Sequence, residues 1–207
     1  APMAEFVVGG ILQLYKESKF FAENQAAHRW EKHRGLRELS GKTACIIGTG
    51  SVGSAIARRL RAFDVQTVGI NRSGHSAAEF DQTQPTCRLD DLLPLADLVI
   101  CAMPLTVETA GLFDSVRLAK IKPGAVFVNV ARGKVADQQA LAEALQSGQL
   151  FGAVLDVFEE EPLPRSSPLW DMEQVILTPH NSFVGEHNGE RLFKCIKEHL
   201  YELSKEC

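Results

Sequence analysis

The sequence predicts an α/β protein: a doubly wound parallel sheet with helices on both faces, preceded by an N-terminal helical arm. Three observations predict it. Short apolar runs alternate with helical patterns along the chain, the arrangement of parallel strands joined by crossover helices. A glycine turn, Gly48-Thr49-Gly50-Ser51-Val52-Gly53, links the first apolar run to the first of those helices. Polar residues able to do chemistry, Arg132, Glu161 and His180, fall just beyond later runs, at what would be strand ends.

In chain order, residues 3–33 carry an apolar face of Phe6, Ile11, Leu14, Tyr15 and Phe21 at helical spacing, with Gly9-Gly10 a weak spot. Phe20, Phe21 and Trp30 are many aromatics for one arm. They pack either on the domain's own core or against another domain or subunit. Residues 43–47 form a buried strand bounded by Gly41 and Gly48. Ala55, Ile56, Leu60 and Phe63 then give a helix with Arg58, Arg59 and Arg61 between them. Val65, Thr67, Val68 and Ile70 make a second strand, residues 90–95 a short helix, and residues 98–101 a third strand. A short helix at 114–119 and a Lys122-Pro123-Gly124 turn lead to a fourth strand at 125–130. Asp137 caps a helix running to Ser147 and stopped by Gly148. Strands at 153–155 and 175–177 complete a set of six, the proline-rich piece 161–168 is an ordered loop, and residues 185–204 form a closing helix.

The order strand, glycine turn, helix is that of a dinucleotide-binding crossover, the Rossmann unit. Gly48 permits the tight turn, Gly50 lets the backbone approach a pyrophosphate, and Gly53 lets helix pack against strand. The N–H groups of Ser51 and Val52 would point at the phosphates. Where an NAD-selective site places an acidic residue, about 20 residues beyond the glycines, this chain has Asn71-Arg72-Ser73. A guanidinium and a hydroxyl suit a 2′-phosphate that a carboxylate would repel. NADP is favoured over NAD. The alternative is a solvated Arg72 at a site that accepts NAD.

Right-handed crossovers bring all strand ends to one edge, where ligands bind. There Arg132 can hold a substrate carboxylate through two parallel bonds. His180 can give a proton to a carbonyl oxygen, and Glu161 can fix the imidazole's tautomer and stabilise its protonated form. These are the needs of 2-oxo-acid reduction.

The 207 residues carry a formal net charge of -4, which favours neither nucleic acid nor an anionic membrane as partner. No apolar run approaches a membrane span. Five cysteines at 45, 87, 101, 195 and 207 show no metal spacing, so no metal site is expected. Reduced thiols and the absence of a leader pattern suit a cytoplasmic protein. Cys45 and Cys101 fall in strands and are expected to be core residues.

The chain resembles the D-isomer-specific 2-hydroxyacid dehydrogenases, particularly their hydroxypyruvate/glyoxylate reductase and phosphoglycerate dehydrogenase branches. The resemblance is carried by GKTACIIG before the turn, PLTVET at 104–109, VNVARG at 128–133, LDVFEEEPLP at 155–164 and ILTPHNS at 176–182. It implies that Arg132 binds the substrate carboxylate, Glu161 pairs with the histidine and His180 is the acid/base. It also implies that Asp156 holds the nicotinamide carboxamide and that Pro104, Thr109, Val130, Ala131, Arg132, His180 and Ser182 line the cofactor cleft. In such proteins the first helix and the arm after it build a homodimer. Family members begin with a substrate domain of roughly one hundred residues, which nothing before Ala1 supplies. The expectation is therefore a single cofactor domain, 1–207, with 1–40 as helix and dimerisation arm. A non-catalytic dinucleotide sensor that assembles partners, as the corepressor relatives do, is the competing function.

Overall fold

A computed structural model describes residues 2–203, with side chains described through Lys197; Ser204, the expected end of the closing helix, and Cys207 lie outside the described residues. The elements are α1 (Pro2–Tyr15), α2 (Ser18–Ala26), β1 (Thr43–Ile47), α3 (Ser51–Arg61), β2 (Gln66–Asn71), β3 (Gln82–Pro85), α4 (Leu89–Leu92), β4 (Leu98–Cys101), α5 (Ser115–Lys120), β5 (Ala125–Asn129), α6 (Gln138–Gln146), β6 (Leu150–Leu155), β7 (Val175–Leu177) and α7 (Asn188–Leu203).

All strand pairs are parallel, in the order β3-β2-β1-β4-β5-β6-β7. Strand order reverses between β1 and β4, and the glycine turn opens at that point, where open α/β sheets bind ligands. The period of two along each strand divides the core. Ala44 and Ile46 of β1 face a cluster with α1 and α3, and Cys45 and Ile47 face one with α4, α5 and α6. Both faces are covered, so the central strands read as unbroken apolar runs rather than alternating ones. Cys45 and Cys101 are buried as expected, and burial pushes the Cys45 thiol up to about 12.

The helix expected at 3–33 is two helices and an extended arm. Glu17 adopts φ +51 between α1 and α2, and His28 adopts φ +53 beyond α2. Left-handed residues such as these stop a helix. Gly9-Gly10 is not the weak spot. A Cβ on Gly10 would lie 2.7 Å from Val154 Cγ1, so glycine there seats α1 closely on β6. The arm's aromatics divide. Phe20 packs edge-on against Phe21 and His33, whereas Trp30 is 96% exposed and packs on no core. Arg37 secures the end of the arm, donating to the Gly124 carbonyl at 2.7 Å and lying 3.6 Å from the Phe151 ring centroid.

The strand count is seven rather than six. β3, Gln82-Thr83-Gln84-Pro85, has a terminal proline as its one apolar side chain, so hydrophobic patterning passes over it. As an edge strand it tolerates a terminal proline. The short helix expected at 90–95 starts one residue earlier and ends as a 3-10 turn, Leu93–Leu95; α7 starts at Asn188, not Gly185. Asp137 and Asp114 each cap a helix, accepting from Ala140 N at 2.9 Å and Arg117 N at 2.8 Å.

Candidate active site and dinucleotide cleft

The glycine turn meets its steric demands in three ways. Gly48 has φ +106, and a Cβ there would stand 2.5 Å from the Ala102 carbonyl oxygen. A Cβ on Gly53 would stand 1.8 Å from the Gly48 carbonyl oxygen, so only glycine lets α3 start against β1. A Cβ on Gly50 would meet nothing within 4 Å. No protein atom demands a glycine at 50; the open space beside it is what a ligand's approach requires. Gly50 precedes the first turn of α3, whose N–H groups at Ser51, Val52 and Gly53 have no intrahelical acceptor. No acidic side chain stands in that first turn, so the positive end of the helix dipole is not offset there. The turn fits a pyrophosphate.

At the end of β2, Asn71 organises the following loop. Its Nδ2 donates to Thr49 Oγ1 at 3.2 Å and to the His75 carbonyl at 2.9 Å, and its Oδ1 accepts from Gly74 N at 2.7 Å. Arg72 and Ser73 are exposed beside it. His75, which no sequence motif marks, stands beside them with its Nδ1 3.1 Å from Ser73 Oγ. Across the cleft, the loop after β4 folds on itself. Thr109 Oγ1 donates to the Pro104 carbonyl at 2.8 Å and accepts from Thr106 N at 2.7 Å. Pro104 and Thr109 thus hold one turn, which carries the exposed Glu108. The Thr106 hydroxyl, its own N–H and the charge of Arg72 hold the Glu108 carboxyl below its ordinary value.

Arg132, Glu161 and His180 follow β5, β6 and β7, neighbours at one sheet edge. Val130 and Ala131 are buried backbone leading to Arg132. Asn129 brackets that segment, accepting from Ala131 N and donating to the Arg132 carbonyl, both at 3.0 Å. The arginine's Nη1 donates to the Ala131 carbonyl at 2.6 Å, and the side chain is exposed. Behind it Gly133 is pressed on the next loop: a Cβ would lie 1.8 Å from the Phe158 carbonyl carbon. Gln138 N also donates to Glu159 Oε1 at 2.7 Å. The arginine's loop and the glutamate's loop are therefore one mechanical unit.

His180 Nδ1 lies 2.8 Å from Glu161 Oε2, while Glu161 Oε1 accepts from Phe158 N at 3.0 Å. Partial burial pushes the Glu161 carboxyl up. The bonds from His180 and Phe158 outweigh it and leave the group below its ordinary value. The carboxylate is thus ionised, fixes one imidazole nitrogen as donor and leaves Nε2 for a substrate. The His180 side chain is 40% exposed. An apolar cavity of about 480 Å³ opens beside the pair, lined among others by Phe158, Leu163, Trp170 and Leu177.

Asp156 is 0% exposed and holds up the whole His180 loop. Its Oδ1 accepts from Thr178 Oγ1 at 2.6 Å and Asn181 N at 2.7 Å, its Oδ2 from Ser182 N at 3.0 Å, and its carbonyl from His180 N at 2.8 Å. His180 itself has φ +52, a conformation such anchoring sustains. Ser182 Oγ is buried with no partner. Asn129 and Thr178 were not picked out from sequence. Their signal was only adjacency to Arg132 and His180.

Among the described residues, no group of three or more His, Cys, Asp or Glu could hold a metal ion. No helix there is long and apolar enough to cross a membrane.

A family profile described as "D-isomer specific 2-hydroxyacid dehydrogenase, NAD binding domain" matches residues 8–182. The chain belongs to this family. It is 35% identical over 205 residues to a protein named glyoxylate/hydroxypyruvate reductase B from Salmonella gallinarum, covering 97% of this chain and 63% of that protein. It is 45% identical over 143 residues to one named glyoxylate reductase from Pyrococcus furiosus, covering 69% of this chain and 42% of that one. A solved structure, a probable 2-hydroxyacid dehydrogenase from Rhizobium etli in complex with NADP, HEPES and L(+)-tartaric acid, superposes with a TM-score of 0.88. It is 30% identical, covering 99% of this chain and 65% of that one. The chain thus spans less than two thirds of the length of each of these dehydrogenase-family relatives.

Proposed function

We propose that this chain is the cofactor-binding part of an NADP-dependent reductase of small 2-oxo acids such as glyoxylate or hydroxypyruvate. The observation that carries the reading is the 2.8 Å His180–Glu161 pair on the strand-end edge that also presents Arg132 and the glycine turn. Arg132 would bind the substrate carboxylate. His180, protonated and held by Glu161, would donate from Nε2 to the carbonyl oxygen as it gains charge, and the apolar cavity beside the pair would keep water from it. A bound nicotinamide cofactor supplies the hydride. The turn and first helical N–H groups would hold its pyrophosphate, Asn71, Arg72 and Ser73 its adenosine end, and Asp156 with Ser182 its carboxamide. Pro104, Thr109, Val130 and Ala131 would line its cleft. The arginine and hydroxyl after β2 support NADP over NAD. The sensor reading gains nothing from the relatives named above, each of which is named as a reductase or dehydrogenase.

Residues 1–207 are read as a single domain, and residues 1–40 as its helix and dimerisation arm. Trp30, standing clear of the core on that arm, supports a homodimer. An exposed, unpaired thiol at Cys87 suits the reducing conditions of the cytoplasm.

The test is His180→Gln in the longest product of the gene. Turnover of NADPH with glyoxylate or hydroxypyruvate should fall about a hundredfold to ten-thousandfold, with dinucleotide affinity within twofold. A variant keeping more than a tenth of the parent's turnover would remove His180 from the acid/base role.

A further inference from the structure

The turn after β2 is built rather than merely exposed. Besides the three Asn71 bonds, Thr83 Oγ1 donates to the Gly74 carbonyl at 3.3 Å and Thr86 Oγ1 to the Asn71 carbonyl at 3.2 Å. Gly74 has φ +74, and a Cβ on it would stand 2.8 Å from Pro85 Cδ. The backbone of residues 71–75 is therefore fixed against β3 from both sides. Three exposed polar side chains stand on it: Arg72, Ser73 and His75. The last two touch, Ser73 Oγ to His75 Nδ1 at 3.1 Å.

We propose that His75 is a specificity-determining residue for the 2′-phosphate of NADP, acting through the Ser73 hydroxyl and through its own charge, so that the preference for NADP over NAD depends on pH. The inference rests on the dinucleotide reading above and extends it. Ser73 has one hydroxyl proton. When Nδ1 of a neutral imidazole is bare, it accepts that proton and turns the oxygen's lone pairs outward, toward where an anion would sit. When the ring is protonated, Nδ1–H becomes the donor. Ser73 then accepts from the ring and points its own proton outward, and a positive charge joins that of Arg72. Both changes favour a phosphate dianion, and neither matters to a ribose 2′-hydroxyl. The preference therefore falls as pH rises and the ring gives up its proton.

On the same loop Glu79 is half-buried, and Asp81 is paired with Arg61 of α3 at 3.2 Å. β3 carries no charged side chain. On the 3-10 turn that follows, Arg88 is paired with Asp91 at 2.8 Å, and Cys87 is an exposed thiol. The glycine turn contributes only the Thr49 hydroxyl. Across the cleft the charged neighbour is Glu108, which feels Arg72.

The experiment is calorimetric titration of the protein with NADP and with NAD from pH 5.5 to 8.5, for the parent, His75→Ala, His75→Arg and Arg72→Ala. The ratio of the two affinities isolates the phosphate. A phosphomonoester's own second proton leaves near pH 6, and comparison with His75→Ala cancels it. The parent's ratio should exceed that of His75→Ala about tenfold near pH 6, the low end for a charge-assisted hydrogen bond, and less than twofold at pH 8.5. His75→Arg should keep its advantage over His75→Ala across the range. Parallel curves for the parent and His75→Ala, with Arg72→Ala still lowering the ratio, would overturn the role of His75 and leave NADP binding standing. A ratio near one that Arg72→Ala does not move would overturn the NADP reading, and this inference with it.

Discussion

Replacing Asp156 by asparagine tests whether the catalytic loop is held from beneath by that one buried carboxylate. The parent group receives three hydrogen bonds, two at Oδ1 from Thr178 and Asn181 and one at Oδ2 from Ser182. An asparagine keeps one oxygen, which can still serve Thr178 and Asn181. It then sets an NH₂ against the Ser182 N–H, two donors face to face in a site with no solvent. The loss comprises one charge-assisted bond, about 1.5–3 kcal/mol, and a buried N–H left unpaired, about 1–3 kcal/mol. Relief comes if the new NH₂ donates to Ser182 Oγ, which is buried and unpartnered. A net cost of about 2–4 kcal/mol is expected. For a chain of this size that lowers the melting temperature by about 4–15 °C. Because the same loop carries His180, kcat should fall as well, by more than tenfold. Thermal unfolding followed by circular dichroism and steady-state kinetics on the same preparation read the two effects. An unchanged melting temperature with lost turnover would refute the argument, since it would mean that Asp156 acts on ligand alone and the loop stands without it.

Two further outcomes are expected. Trp30→Ala should weaken self-association at least about thirtyfold, as loss of an interfacial hot spot does, without lowering the monomer's melting temperature. Sedimentation across a concentration series reads this, and an unchanged association constant would exclude the arm as the interface. Asp90 accepts from Arg117 Nε at 2.6 Å and Lys120 Nζ at 2.9 Å, and these bonds hold its carboxyl at about 2. A depressed value stabilises the fold fully above the ordinary value near 3.8 and loses that contribution as pH falls toward 2. Asp90→Asn should therefore lower the neutral-pH melting temperature by at most about 2–4 °C, since a half-exposed pair is worth no more than about 1 kcal/mol. The gap should close between pH 4 and pH 2; a gap that persists there would mean packing, not charge, is responsible.

Hydrophobic period made most of the fold legible, because a sheet covered on both faces writes its strands as plain apolar runs. Where that driving force is weak, the signal disappears. β3 is held by its register with β2 and by the Thr83 hydroxyl's bond to the Gly74 carbonyl, and a terminal proline is the one apolar side chain among its four residues. The break at Glu17 was illegible for a related reason. Apolar spacing continues across it through Phe21, while the chain turns away by a single left-handed residue that composition does not mark. Gly9-Gly10 misled in the opposite sense: a pair that reads as flexibility is a close contact with β6.

At the site, the residues that chemistry requires stood out and those that position them did not. Arg132, Glu161 and His180 could be found because each has a charge or a proton to offer and falls at a strand end. Asn129, Thr178 and Gly133 offer neither. Their importance lies in what they touch: the backbone on either side of Arg132, the Oδ1 of Asp156 and the backbone of Phe158. Those contacts link the loops after β5, β6 and β7 into one rigid edge. A shift at Gly133 would therefore reach Glu161 through Phe158, and a shift at Asp156 would reach His180 directly. The dyad's geometry is thus a property of three loops packed on one another, and a sequence names its two ends long before it names what keeps them 2.8 Å apart.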